Sequence, residues 1–363
     1  MTDHPHANTH DSIAQGPDFN DILSELSDPA NSADFPVPTP YELNNLKCLY
    51  WEADKAPIRQ NKDTNCFLHI NIQCLNAKFD NLKIFLNTLS NENFDNLPVI
   101  LALSEAWLTE HNEASFELSG FHSPISKVRK DNSGRGGVAL YVREDFEFIE
   151  RPDLDKFIPF VFESTFVTLK HLNLTVGAIY RSPTPDSTPY LNEYIRTLSQ
   201  LAQLKENALL LGDFNQDLLK YNRDAAVTEF ADLNFEYGCI PLITKPTRID
   251  VSSATCIDNI ITSKLFPSSE AGIIINGLSD HFPVFYSITD PSYKRKRNAM
   301  NDHFTYRDFS EENMATLNND LSRVNWDNIT SEEDPNLAAA QFNDILSTQI
   351  NLACPLKTRK AKI

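Results

Sequence analysis

Between about Cys66 and Ile288 the chain alternates short apolar runs with a few helical patterns, and this limits what it can fold into. FLHINI (67–72) alternates like a strand, and KFDNLKIFLNTL (78–89) places Phe79, Leu82, Phe85, Leu86 and Leu89 at helical spacing. VILALSE (99–105), GGVALYV (136–142), FVFESTFVTL (160–169) and LNLTVGAIYR (172–181) read as strands. A helix follows over 190–204, with Leu191, Tyr194, Ile195, Leu198 and Leu201 on one face. Then come ALLLGDFN (208–215), a helix from about 225 to 237, and strands in CIDNIITS (256–263), GIIING (272–277) and HFPVFYSI (281–288). Many strands with few helices predict an α/β (α+β) sandwich of two sheets with helices outside; the helices are too few and too irregular for a (β/α)₈ barrel.

The flanks differ in texture. Residues 1–63 are rich in Asp, Asn, Ser and Pro and read as a disordered tail, whose His4, His6 and His10 are solvated. The enzymatic unit spans 64–290, a basic linker 291–300 carries Lys294, Arg295, Lys296 and Arg297, and 301–363 reads as a helical extension with a basic end. The four linker cations are candidates for weak nucleic-acid contact. No apolar run approaches the ~20 residues of a membrane span, and the N-terminus lacks the basic start and apolar stretch of a secretory signal. Six scattered cysteines without CxxC fit reduced thiols in an intracellular protein. The net charge of −18 argues against tight nonspecific binding to polyanions, although a metal site itself needs carboxylates.

Chemistry-bearing residues recur at the C-terminal ends of the predicted strands: Asn71, Glu105, Asp213 with Asn215, Asp258 with Asn259, and Asp280 with His281 just before the last strand. A lone strand-end Asp is usually a turn or cap, but five such groups in one chain are not accounted for by turns. Glu105 and Asp280 can supply carboxylates, and Asn71 an amide oxygen, to a hard divalent cation. Asp213 can take a proton from water. In an extended GDFN segment Asp213 and Asn215 would share a face, with Phe214 buried on the other. Asp258 can orient the His281 imidazole and favour its charged form. By contrast, GRGG (134–137) lacks the GK[ST] of a phosphate loop and reads as a hairpin turn. Ser104 and Ser279 read as turn residues, and FADL (230–233) as core packing.

ALSEAWL (102–108), LLLGDFN (209–215), IDNIIT (257–262) and LSDHFPV (278–284), in this order, resemble the endonuclease/exonuclease/phosphatase superfamily. INIQCLNAKFDNL (70–82), SEAWL and IYRSP (179–183) are similar to the apurinic-endonuclease-like domain of non-LTR (LINE-type) retrotransposons. The resemblance covers about 66–290, and the tail resembles the segment leading toward a reverse transcriptase, which this chain lacks. It departs at Cys74, where Ser is common, and at Ala106. It implies a four-layer α/β sandwich of two mainly antiparallel sheets. It further implies Mg²⁺, with Mn²⁺ as substitute, at Asn71, Glu105 and Asp280. Asp213 would activate the attacking water, and Asn215 would orient it or the phosphate. His281 paired with Asp258 would contact the phosphate, Tyr180 would lie near the leaving group, and Arg181 would contact phosphate. The implied activity is a DNA nick with a free 3′-OH, as in target-primed reverse transcription. The implied partners are double-stranded DNA and, through the absent polymerase, element RNA, for a monomer acting in the nucleus. Two alternatives stay open at this point: another phosphodiesterase or phosphatase on the same fold (RNA, inositol phosphate or lipid), and a catalytically silent binding module.

Overall fold

The computed structural model describes residues 48–59, 64–90, 96–109, 115–128, 136–183, 188–204, 206–266, 268–289, 303–332 and 334–360. The histidines of the N-terminal tail, most of that tail, and the basic run 294–297 lie outside these residues.

The first unit is built on two seven-stranded sheets, mixed but mostly antiparallel. Its elements begin with β1 (Leu49–Glu52), β2 (Thr64–Asn71), α1 (Leu75–Ser90), β3 (Ile100–Ser104), β4 (Ile125–Lys127) and β5 (Val138–Val142). They continue with β6 (Phe148–Glu150), β7 (Lys156–Ile158), β8 (Phe162–Leu169), β9 (Leu174–Arg181), α2 (Thr188–Leu204), β10 (Asn207–Asp213) and α3 (Ala225–Glu236). The short pairs β11 (Ile240–Pro241), β12 (Arg248–Ile249) and β13 (Ala254–Thr255) precede β14 (Asp258–Thr262), β15 (Ser269–Ile275) and β16 (Val284–Thr289). Sheet one runs β1-β15-β16-β2-β3-β5-β4; sheet two runs β11-β14-β10-β9-β8-β6, with β7 also on β8. The edge strand β1 pairs in parallel with β15 and falls inside the stretch that the sequence presents as a tail.

Alternation along sheet one sorts its side chains into two cores. Phe67, Ile100, Ala102, Val138 and Leu140 join the apolar cluster shared with sheet two. Their neighbours Leu68, Ile70, Leu101, Leu103, Ala139 and Tyr141 face the other way and pack with Leu82, Phe85, Leu86 and Leu89 of α1. On sheet two, Phe162 meets Tyr190 and Tyr194 of α2, while Phe214 meets Tyr194 and Phe230 of α3, at centroid distances of 5.4–6.4 Å. The sandwich with flanking helices expected from the sequence is therefore the observed architecture. By the same parity Phe67, His69 and Asn71 share the face turned toward sheet two. That places polar residues at the end of β2 over the seam between the sheets.

The second unit comprises β17 (His303–Arg307), α4 (Glu311–Arg323), α5 (Asp327–Thr330), α6 (Pro335–Ala353) and β18 (Leu356–Lys360). The sequence reads this stretch as helical throughout, but the structure begins and ends it with strands. β17 and β18 pair antiparallel, His303 opposite Lys360. Arg307 donates to the carbonyls of Ile350 and Cys354 at 3.3 and 2.9 Å, satisfying the last turn of α6. Among the described residues no helix is long and apolar enough to cross a membrane.

Candidate active site

All five strand-end groups send at least one residue to one place, and strand register explains much of how. Asp213 at the end of β10 is the direct partner of Asp258 on antiparallel β14, and the parallel partner of Tyr180 on β9. Tyr180 is in turn opposite Glu163 on β8. Glu163, Tyr180, Asp213 and Asp258 thus form one row across sheet two, all buried. Gly212 lets β10 and β9 approach: a Cβ there would lie 2.1 Å from the Ile179 carbonyl oxygen.

From sheet one, Asn71 reaches across the seam. Its Nδ2 donates to Asp213 Oδ2 at 2.9 Å and to Glu105 Oε1 at 3.0 Å, while its buried Oδ1 has no hydrogen-bond partner. Glu105 follows β3 in a left-handed conformation (φ 49°), which costs a non-glycine residue on the order of 1 kcal/mol or more and is held here by its surroundings. Ala106 and Trp107 donate their N–H groups to the carbonyls of Gly137 and Gly136. Gly137 N–H is received by the Glu163 carboxylate at 2.5 Å. Glu163 therefore ties the glycine turn, and through it the Glu105 loop, to sheet two. An acidic residue inside the apolar run FVFESTFV was the signal for it, and sequence reasoning passed it over.

Asp258 is fully buried. Its Oδ2 takes the Thr247 hydroxyl at 2.7 Å and lies 2.8 Å from His281 Nδ1. Among the described residues, ligand atoms of Asp213, Asp258 and His281 lie within 4.8 Å of one another. The electrostatics follow from this packing. Burial raises the Asp213 carboxyl, and the Asp258 charge opposite adds to it; His281 and the donors from Asn215 and Asn71 oppose, leaving it at about 7. Burial works to raise Asp258 as well, but the His281 charge and hydrogen bond outweigh it and hold Asp258 below its ordinary 3.8. Burial works to lower His281, and the charge and hydrogen bond of Asp258, with Asp213 and Asp280 beyond, carry it up to about 9. The pair Asp258–His281 is thus ionic, while Asp213 sits poised near neutrality.

The structure corrects several expected placements. Asn215 does not extend the strand beside Asp213. It turns into a left-handed conformation (φ 47°), its N–H donates to Asp213 Oδ1 at 2.9 Å, and its Nδ2 donates to the Arg181 carbonyl at 2.7 Å. Arg181 alternates with Tyr180, so it lies under α2 with its guanidinium over the Tyr190 ring at 5.2 Å, and Nη1 donates to the Asn215 carbonyl at 2.7 Å. It supports the GDFN turn from beneath. Asp280 is at the rim, 42% exposed, and is held by Arg248 through two contacts of 2.7 and 2.9 Å. Asn259 faces the opposite side of β14 and bonds the backbone of Leu242 and Ile243. Ser279 accepts the His281 N–H as a turn residue does, but the Ser104 hydroxyl lies 3.1 Å from Nε2 of the buried His69.

The donor set tests whether a cation fits. Asp258 Oδ2 and His281 Nδ1 are engaged with each other. Asn71 now turns Nδ2 to the Glu105 and Asp213 carboxylates and leaves Oδ1 buried without a partner; turning the amide over would set Oδ1 beside both carboxylates, the all-oxygen surroundings that hard divalent ions take. These residues fit such an ion.

The endonuclease/exonuclease/phosphatase family model matches residues 68–281. Similar solved structures include the endonuclease domain of TRAS1, a telomere-specific non-LTR retrotransposon (16% identity, 62% of this chain and 98% of that chain, TM-score 0.45). An apurinic endonuclease from Leishmania major is similar at 11% identity over 63% of this chain and 89% of that one, TM-score 0.49. A 3′-5′ exonuclease from Neisseria meningitidis is similar at 18% identity over 61% and 98%, TM-score 0.44. No curated protein matches the sequence. With the family model covering more than half of the chain, and with strand ends from both sheets meeting at one acidic seam, the chain belongs to the endonuclease/exonuclease/phosphatase family, whose members are phosphodiesterases and nucleases.

Proposed function

We propose that this chain is a Mg²⁺-dependent DNA endonuclease that hydrolyses one phosphodiester bond and leaves a nick with a free 3′-OH. The observation that carries the reading is the convergence of Asn71, Glu105 and His281, from the strand ends and the β16 approach of sheet one, with Asp213 and Asp258 from sheet two. Asn71 and Glu105 would hold the cation, with Asp280 joining them if it leaves Arg248. A cation there supplies neutralisation of the phosphate charge and a more acidic bound water.

The chain's own groups do the rest. Asp213, at about 7, accepts a proton from the attacking water. Its two oxygens are fixed by donors from Asn71 and Asn215, so its direction is set before substrate arrives. His281, charged up to about 9, presents Nε2 to a phosphate oxygen while Asp258 keeps Nδ1. Tyr180, beside Asp213 in register, neighbours the oxygen that departs as the 3′-OH. The sequence patterns INIQCLNAKFDNL, SEAWL and IYRSP support a retrotransposon-type nuclease acting on double-stranded DNA in the nucleus, where such a nick primes reverse transcription.

A supercoiled-plasmid assay tests this. Wild type should nick with Mg²⁺ or Mn²⁺ and not with chelator, and the nick should be extended by a DNA polymerase without prior end repair. Asp213→Ala and His281→Ala should each lose at least about two orders of magnitude in rate, as expected when a main transition-state contact is removed. Wild type no faster than either variant would refute the proposal.

A further inference from the structure

His69 is not among the residues used above, yet its surroundings are unusual for a core histidine. It is 1% exposed and lies on the inward face of β2, two residues before Asn71. Its Nε2 is 3.1 Å from Ser104 Oγ. Its Nδ1 has no hydrogen-bond partner and lies 3.9 Å from Asp258 Oδ1, which has none either. Two buried polar atoms facing each other without partners are uncommon, because each forfeits its hydration unless paired. The gap is roughly 1 Å longer than an ordinary hydrogen bond of about 2.9 Å, so a small tilt of ring or carboxylate closes it.

Donor and acceptor types give the contact a direction. Asp258 is held ionised, so both its oxygens accept. Oδ2 already receives Thr247 and His281. A neutral imidazole with its proton on Nδ1 would donate to Oδ1 and leave Nε2 to accept the Ser104 hydroxyl proton. Complete burial favours that uncharged form. Every group in the chain Ser104–His69–Asp258–His281 then has a partner of the right kind.

We propose that His69 is a positioning residue for the Asp258–His281 pair: its Nδ1–H fixes the second Asp258 oxygen, and so the direction in which His281 faces the phosphate. The proposal rests on the nuclease reading for its effect on rate, but the hydrogen bond itself can be tested without it. An Asn side chain at 69 places a donor where Nδ1 stood; a Gln places one near Nε2 and leaves Asp258 Oδ1 bare.

His69→Asn should keep the plasmid-nicking kcat within about threefold of wild type, whereas His69→Gln should lower kcat at least tenfold with KM for DNA unchanged. The far-downfield proton NMR signal of the Asp258–His281 hydrogen bond should persist in His69→Asn and shift or broaden in His69→Gln. Ser104→Ala, which leaves the ring in place, should show a smaller loss than His69→Gln. Equal kcat for the Asn and Gln variants, or losses that follow melting temperature instead of side-chain type, would overturn the proposal. If wild type does not cut DNA, the nuclease reading fails while the NMR comparison still decides the pairing: an unchanged signal in His69→Gln overturns it.

Discussion

Replacing Asp258 by Asn should move the alkaline limb of the pH–rate profile by more than two pH units. In the native protein His281 rises from 6.5 to about 9 because the Asp258 charge and hydrogen bond overcome burial. That rise is worth about 3 kcal/mol, at about 1.4 kcal/mol per pH unit. Asn keeps the shape and removes the charge, leaving burial opposed only by the smaller contributions of Asp213 and Asp280, so the His281 value should fall to about 6.5 or lower. At pH 7.5 the native imidazole is charged in about 97% of molecules and the variant's in less than about 10%. Asp213 must be deprotonated and His281 protonated, so native activity should rise through about pH 7 and fall through about pH 9. In Asp258→Asn the falling limb should lie at or below about pH 6.5, and the rate at pH 7.5 should drop at least about tenfold, the ratio of the two charged fractions. The measurement is single-turnover nicking of a supercoiled plasmid from pH 5.5 to 9.5 at saturating Mg²⁺. A variant whose falling limb stays near pH 9 would refute the argument that Asp258 holds His281 charged.

Other outcomes follow from the same geometry. Asp213→Asn should abolish nicking yet stabilise the metal-free fold above pH 7. The carboxyl binds a proton in the folded state up to about 7 but in the unfolded state only to about 3.8, so its contribution to stability declines as pH rises through that window. Loss of one acceptor for Asn71 offsets part of the gain, leaving on the order of 2 kcal/mol, measurable by urea unfolding at pH 8. Gly212→Ala should destabilise by about 3 kcal/mol or more, because the new methyl would meet the Ile179 carbonyl oxygen at 2.1 Å; near-native stability by denaturant titration would contradict this. Glu163→Leu should raise the Mg²⁺ concentration for half-maximal nicking at least about tenfold by freeing the glycine turn behind Glu105, while Glu163→Gln, which keeps an acceptor, should do much less. Mn²⁺ binding followed by paramagnetic resonance gives the same comparison without turnover.

The strands that carry the site were legible because each is a largely apolar run ending in a polar residue: LLLG before Asp213, LALS before Glu105, LHI before Asn71. The helices over 75–90 and 188–204 announced themselves by spacing. What could not be read is register. Nothing local in GDFN and CIDN says that Asp213 and Asp258 stand opposite each other, or that Arg181 alternates away beneath α2 while Tyr180 stays on the row. His69 and Glu163 were visible as polar residues inside apolar strands, but their use depends on partners 35 and 26 residues away. Thr247 sits in a loop without any signal and becomes intelligible only beside Asp258. In the extension, β17 and β18 pair across almost sixty residues, a distance at which neither five-residue segment predicts its neighbour.

Because part of the acidic seam hangs from one sheet and part from the other, the protein would be a gauge of its own interior. A cavity cut far from the reacting groups, for instance by Phe166→Ala in the shared core, would let the two halves drift by fractions of an ångström long before either unravelled. Turnover should then fade at temperatures where circular dichroism still reports an intact protein. Heat inactivation would mark the loosening of one wall against the other, ahead of the melting of either.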